Sequence, residues 1–427
     1  MLTRVVHQFS ESLARIFRST RHRNFRLFVC GQSVSLIGTW MQMIAVSWLV
    51  YRLTSSPFLL GCAAFVTQIP SFVLFPFAGV LADRIDRHKI LLAVQILAMV
   101  QSVILAVLVL TNHVAVWQVL VLGFFLGVVN AFDLPARQAF ISEMIDDRED
   151  LNNAIALHSS LFNGSRLFGP ALAGIVIAAF GEGVCFALNA LSFIPIIVAL
   201  FMMRIPPRDL NVDARKKVKA ELKEGFRYAM ASMPIRTLLL LLTIVSFMAG
   251  ALQTLMPIFA KEVYHGGPQT LGFIVAMSGV GALVGALYLA GRKNVIGLGR
   301  IIGVSSGFFG VLLIVFGFVT NLHLAALVVF FMGFAMIMEI GSTNVILQTI
   351  VDEDKRGRVM SLYGGALIGM TPVGSLLAGV AATHVGLPVT LGIGGAACLI
   401  ACAFFWKAYP DFRGHIRAVY TQKGIIK

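Results

Sequence analysis

Charge is scarce in this chain. Only 13% of its 427 residues are Asp, Glu, Lys or Arg, about half the share of a soluble domain, while 58% are hydrophobic and the mean hydropathy is +0.86. That excludes a water-soluble enzyme. Cysteine is sparse too: Cys30, Cys62, Cys185, Cys398 and Cys402 all lie in apolar stretches, with no CxxC or Cys/His spacing suited to a metal, and read as reduced core residues. There is no GxxxxGK[ST], so ATP hydrolysis within this chain is not expected, and no HExxH to support an intramembrane hydrolase. The polar, Arg-rich stretch 1–26 lacks the uninterrupted apolar run of a cleavable signal peptide.

Apolar runs, in contrast, recur along the whole length. One anchor of ~20 residues could not raise the mean hydropathy of so long a chain. The runs predict twelve spans, near 25–51, 57–81, 90–110, 115–136, 152–180, 184–203, 236–260, 270–290, 300–320, 323–347, 359–383 and 387–408. The expected fold class is an all-α polytopic membrane protein with twelve transmembrane helices in two six-helix halves. Its divisions are a basic cytoplasmic segment (1–24), an N-terminal half (25–203), a cytoplasmic linker (204–235), a C-terminal half (236–408) and a cytoplasmic tail (409–427). Of the 34 Lys and Arg, all but Arg52, Lys261 and Arg166 fall on one side of these spans. By the positive-inside rule both termini are predicted to be cytoplasmic, and the net charge of +14 reflects topology, not affinity for nucleic acid. Leu2, Val6, Phe9, Leu13 and Ile16 recur at helical spacing, which fits a short helix on the inner leaflet or a frayed terminus.

The halves resemble each other. Phe124-Phe125-Leu126-Gly127 matches Phe330-Phe331-Met332-Gly333, an alignment that also sets Asp133 opposite Glu339. Further on, Gly169-Pro170-Ala171-Leu172-Ala173-Gly174 matches Gly374-Ser375-Leu376-Leu377-Ala378-Gly379. An even number of spans separates the copies, so the repeat is parallel, about an axis along the membrane normal. Duplication favours a transporter over a membrane enzyme or a sensor. An enzyme would need a nucleophile or metal set, and a sensor a soluble output domain.

Charges inside spans are expensive, roughly 2.5–3.5 kcal/mol on insertion scales, and tend to face a cavity and to function. Three stand out: Asp133, Arg166 and Glu339. Arg166 lies about 12 residues into span five, or ~18 Å along the helix. Asp133 and Glu339 are candidates for proton coupling, since a carboxylate moved between wet and dry surroundings changes its pKa, and Arg166 for pairing with one of them or with an anionic substrate group. A static Asp133–Arg166 pair is the plainer alternative. Mid-span amides are more often glue between helices than ligand contacts. Among Gln32, Gln68, Asn130, Asn163, Asn189 and Gln253, the candidates for lining a substrate cavity are Asn130, Asn163, Gln32 and Gln253. Gly279, Gly281 and Gly285 are expected to permit close helix contact.

After span two comes Gly79-Val80-Leu81-Ala82-Asp83-Arg84-Ile85-Asp86-Arg87-His88-Lys89. This resembles the cytoplasmic loop signature of the major facilitator superfamily, except that Asp86 replaces a usual glycine. The turn must therefore form without positive φ or with Asp tolerating it. Arg23-Asn24-Phe25-Arg26-Leu27-Phe28, the run Asn130-Ala131-Phe132-Asp133-Leu134-Pro135-Ala136-Arg137-Gln138-Ala139-Phe140, Arg166 with Gly169–Gly174, and Arg356-Gly357-Arg358-Val359 together resemble the enterobactin-exporter and macrolide-efflux branch. The resemblance implies the major facilitator fold and a secondary efflux pump in a bacterial cytoplasmic membrane. It implies alternating access, proton antiport with no cofactor beyond the proton gradient, and a small amphipathic substrate of siderophore or drug class. A monomer in the lipid bilayer with no nucleic-acid partner is expected. The branch also resembles lysophospholipid flippases, so lipid flipping is the alternative. The resemblance assigns Asp83, Arg84, Arg87 and Arg137 to a conformational latch, where the plainer reading is a topogenic basic turn. Asp83 and Arg137 both end cytoplasmic helix termini and are expected to be neighbours.

Overall fold

The computed structural model describes residues 17–145, 147–204, 218–292 and 294–424, without the side chains of 75, 76, 79, 80, 82–84, 148 and 218–223. The expected surface helix over 2–16 lies outside the described residues, as do the side chains of Asp83 and Arg84.

A 3-10 turn (Arg18–Arg21) leads into α1 (Arg23–Thr54), α2 (Pro57–Arg84), α3 (Arg87–Leu110) and α4 (Val116–Glu143). The helical stretch Arg148–Met202 is broken at Gly181, whose φ of 81° only glycine adopts at little cost. It thus comprises two spans, α5 (148–180) and α6 (182–202). After α7 (Val218–Ala231) the second set follows: α8 (Met233–Ile258), α9 (Pro268–Ala290), α10 (Leu298–Phe318), α11 (Leu322–Ile350), α12 (Glu353–Val385) and α13 (Leu387–Gln422). The apolar helices are long enough for the ~20 residues a bilayer requires, and with the break at Gly181 they make the twelve spans of a major facilitator fold. Helix ends carry local signals. Asp86 caps α3 by accepting from the His88 backbone N–H, with φ of −54°, so the turn after α2 needs no positive φ. Asn321 caps α11 in the same way. Two ends depart from the sequence expectation: part of the linker is the helix α7, and α13 runs on to Gln422 where a tail was expected from 409.

The helices form two compact units. One comprises Met1–Val46 with Val73–Ala214, the other Ser47–Phe72 with Arg215–Lys427. The end of α1 and the start of α2 thus pack with the second set. Gly61 and Gly379 bring α2 against α12 so closely that a Cβ on Gly379 would stand 2.6 Å from the Pro57 carbonyl oxygen. The first unit is centred on Phe28, Val94, Phe140 and Ile196, and the second on Leu242, Ile302, Leu347 and Phe405. Within the second unit, Gly281 of α9 meets the Phe330 carbonyl of α11 where a Cβ would come within 1.8 Å, the close contact expected of these glycines. Of the cysteines, Cys185, Cys398 and Cys402 are core residues, but Cys30 is exposed and Cys62 half-buried. Helix faces that meet lipid are as apolar as those that meet protein, so hydropathy could not separate them.

Candidate functional site

Each unit holds its own intramembrane charge. In the first, Asp133 of α4 is 7% exposed and pairs with Arg137 one turn on, while Gln95 Nε2 of α3 donates weakly to Asp133 Oδ1 at 3.5 Å. This corrects the expectation of an Asp133–Arg166 pair. Residues four apart share a helix face, so Arg137 reaches Asp133 from the same helix. The same carboxylate is thereby engaged away from Arg166. His158 of α5 is close by, stacked on Phe28 at 6.1 Å, with Nε2 buried and unpartnered.

Arg166 instead lies over the Trp40 ring of α1 at 6.0 Å, and Phe162 meets the same indole edge-on at 5.8 Å. No acidic side chain among the described residues pairs with Arg166. An indole face attracts a cation yet leaves the guanidinium N–H groups free to donate.

In the second unit Glu339 of α11 is fully buried. Thr343 Oγ1 lies 3.5 Å from Glu339 Oε1, and Oε2 has no hydrogen-bond partner among the described residues; nor does the neighbouring buried Ser342 hydroxyl. No cation among the described residues pairs with this carboxylate. It is enclosed by protein, where the sequence suggested a residue facing a cavity. Tyr363 of α12 donates to the Ile340 carbonyl at 3.1 Å in the adjoining turn.

The amide candidates separate. Gln32 is 2% exposed with Oε1 unpartnered, Asn163 donates to the Ser159 carbonyl within its own helix, and Asn130 and Gln253 are exposed on their units. Gln32, Asn130 and Asn163 belong to the first unit and Gln253 to the second. Sequence reasoning missed a fully connected amide network that joins α1, α3 and α6. Gln42 Nε2 donates to Gln101 Oε1 at 2.8 Å, and Gln42 Oε1 accepts from Ser102 and Asn189, each at 2.8 Å. It also missed Glu262, which accepts from the Tyr51 hydroxyl while Lys261 lies 5.4 Å from the Tyr51 ring centroid. Glu262 sits in a π-helical turn, Phe259–Val263, which sequence periodicity does not reveal.

At the helix ends, Arg87 pairs with Glu143 at 2.8 Å, tying the start of α3 to the end of α4. Arg358, at the start of α12, pairs with Glu224 of α7 at 2.8 Å, and Tyr228 of α7 donates to Asp352 at 3.0 Å. The linker helix is therefore fastened to the second unit. Asp150 pairs with Arg18 and Arg21, at 2.7 and 2.6 Å, and its Oδ2 is 2.8 Å from His22 Nε2. This clamps the 3-10 turn onto α5.

Known proteins are similar to this chain in sequence or in fold. The chain is 23% identical over 382 residues to the staphyloferrin A transporter of Staphylococcus aureus, covering 89% of this chain and 95% of that protein. It is 24% identical to macrolide efflux protein A of Streptococcus pyogenes, covering 84% and 89%, and 25% identical to the enterobactin exporter EntS of Citrobacter koseri, covering 87% and 92%. Among solved structures, a POT family transporter in complex with 5-aminolevulinic acid has a TM-score of 0.75 at 11% identity, covering 91% of this chain and 96% of that one. A bacterial homologue of the human lysosomal transporter Spinster has a TM-score of 0.65 at 16% identity, covering 91% and 97%. These two likenesses concern the fold alone. A family model described as transmembrane secretion effector matches residues 15–412. With nearly the whole chain matched, this protein belongs to the transmembrane secretion effector family of the major facilitator superfamily and is a multi-pass inner-membrane transporter.

Proposed function

We propose that this transporter exports a small amphipathic molecule of siderophore or drug class by alternating access, in exchange for protons, with both termini in the cytoplasm. The observation that carries this reading is Glu339, a fully buried carboxylate with no counter-charge among the described residues. In the aligned repeat, Glu339 and Thr343 stand where Asp133 and Arg137 stand in the first half. One copy of the site is neutralised from within its own helix and the other is left to take its positive charge from elsewhere. A proton from the aqueous phase is the smallest such charge, and its uptake and release at Glu339 would couple transport to the proton gradient. Arg166, lying over Trp40 with no carboxylate partner among the described residues, suits an anionic substituent on the substrate. The relatives named for siderophore transport and for macrolide efflux support both substrate classes.

Efflux and exchange measured side by side in proteoliposomes test the coupling. A fluorescent dye and a macrolide serve as probes, with and without an imposed pH gradient. Glu339→Gln should abolish gradient-driven efflux while leaving downhill substrate exchange, which needs conformational cycling without net proton movement. Normal gradient-driven efflux in Glu339→Gln would remove this residue from the mechanism.

A further inference from the structure

At the polar end of the second unit, where α10 begins and α13 ends, lies a cleft of about 730 Å³. Its walls follow from helix lengths. α13 has 36 residues, ~54 Å at 1.5 Å per residue, against a hydrocarbon core of ~30 Å. The first ~20 residues, as far as Trp406, suffice to cross, so Trp406 and Tyr409 stand at headgroup level and Arg413 and Arg417 beyond it. Arg300 enters the same cleft from the first turn of α10, where no acidic residue is present.

Three guanidinium groups thus line one cleft. None of Arg300, Arg413 and Arg417 pairs with a carboxylate among the described residues, and no acidic side chain lines the cleft. Tyr420 also lines it. That residue is 5% exposed, and its hydroxyl is buried without a hydrogen-bond partner among the described residues, a rare state for a buried donor unless a ligand completes it. The wall also carries Ile296 and Trp406, 49% and 37% exposed, an apolar surface that an acyl chain would cover and a soluble anion would leave bare.

We infer that this cleft binds an anionic phospholipid of the inner leaflet, its phosphate held by Arg300, Arg413 and Arg417 with the Tyr420 hydroxyl donating to it, and its acyl chain lying along Trp406. Basic pockets between helices on the cytoplasmic side suit such headgroups, and three basic residues together contribute about a hundredfold in affinity. The inference takes only the name of the leaflet from the orientation proposed above and does not depend on proton coupling.

The test uses the full chain reconstituted in phosphatidylcholine vesicles doped with brominated phosphatidylglycerol or brominated phosphatidylcholine. Both leaflets carry the probe, so the outcome is independent of orientation and of transport. The fluorescence difference between wild type and Trp406→Phe isolates Trp406 from the other three tryptophans. Brominated phosphatidylglycerol should quench Trp406 at a far lower mole fraction than brominated phosphatidylcholine. That preference should vanish in the Arg300→Gln, Arg413→Gln, Arg417→Gln triple variant, weaken several-fold in Tyr420→Phe, and persist with millimolar glycerol 3-phosphate in the buffer. Equal quenching by the two lipids in the wild type would overturn the proposal whether or not the triple variant folds. Displacement by glycerol 3-phosphate would also overturn it, by assigning the cleft to a soluble phosphate.

Discussion

Asp133 and Glu339 occupy repeated positions yet meet opposite surroundings, and the difference lies four residues on. Arg137 answers Asp133, whereas Thr343 offers Glu339 only a long hydroxyl contact of 3.5 Å. Removing one partner of a buried pair leaves the other charge uncompensated, which typically costs about 3–5 kcal/mol, while replacing both is far better tolerated. Asp133→Asn should therefore destabilise the protein by about 3 kcal/mol. Thermal unfolding in detergent should show Asp133→Asn/Arg137→Gln recovering most of that loss. If the double variant is no more stable than the single, the pair is not what holds α4 in place.

Between elements, the repeated glycines at the head of the two matching motifs perform the same task. Gly169 lets α5 approach α1, with a Cβ there only 2.4 Å from Trp40 Cβ, and Gly374 lets α12 approach α8, with a Cβ there 2.0 Å from the Phe247 carbonyl oxygen. A backbone oxygen cannot swing aside as a flexible side chain can. Gly374→Ala should push α12 off α8 and destabilise the second unit by about 1–3 kcal/mol, the usual scale of overpacking. Gly364→Ala, on the same helix where an added Cβ meets nothing within 4 Å, is the matched control and should be close to neutral. Comparing their unfolding midpoints checks the claim, and equal midpoints would mean that α12 and α8 have room to spare.

For the molecule as a whole, the distribution of basic residues decides orientation. Arg52 and Lys261 are the two Lys or Arg residues assigned to the extracytoplasmic ends of spans. Reporter fusions at Met1, Asp213 and Lys427 should all report the cytoplasm. A periplasmic signal at any of the three would break the twelve-span topology, because an odd number of crossings would then separate that site from the others.

Hydropathy alone determined the number of spans, because that follows from what a bilayer demands of any segment regardless of its neighbours, and the quoted motifs carried the resemblance to the family. The three intramembrane charges were legible for the same reason. Their partners were not. Whether Asp133 meets Arg137 or Arg166 depends on rotation about the α4 axis and on what α1 presents to α5, where Trp40 engages Arg166 instead. The network of Gln42, Gln101, Ser102 and Asn189 was likewise invisible, since it joins residues as far apart as Gln42 and Asn189 through the packing of α1, α3 and α6. Side-chain pairing across helices is set by their mutual rotation and depth, and only the tertiary structure decided it.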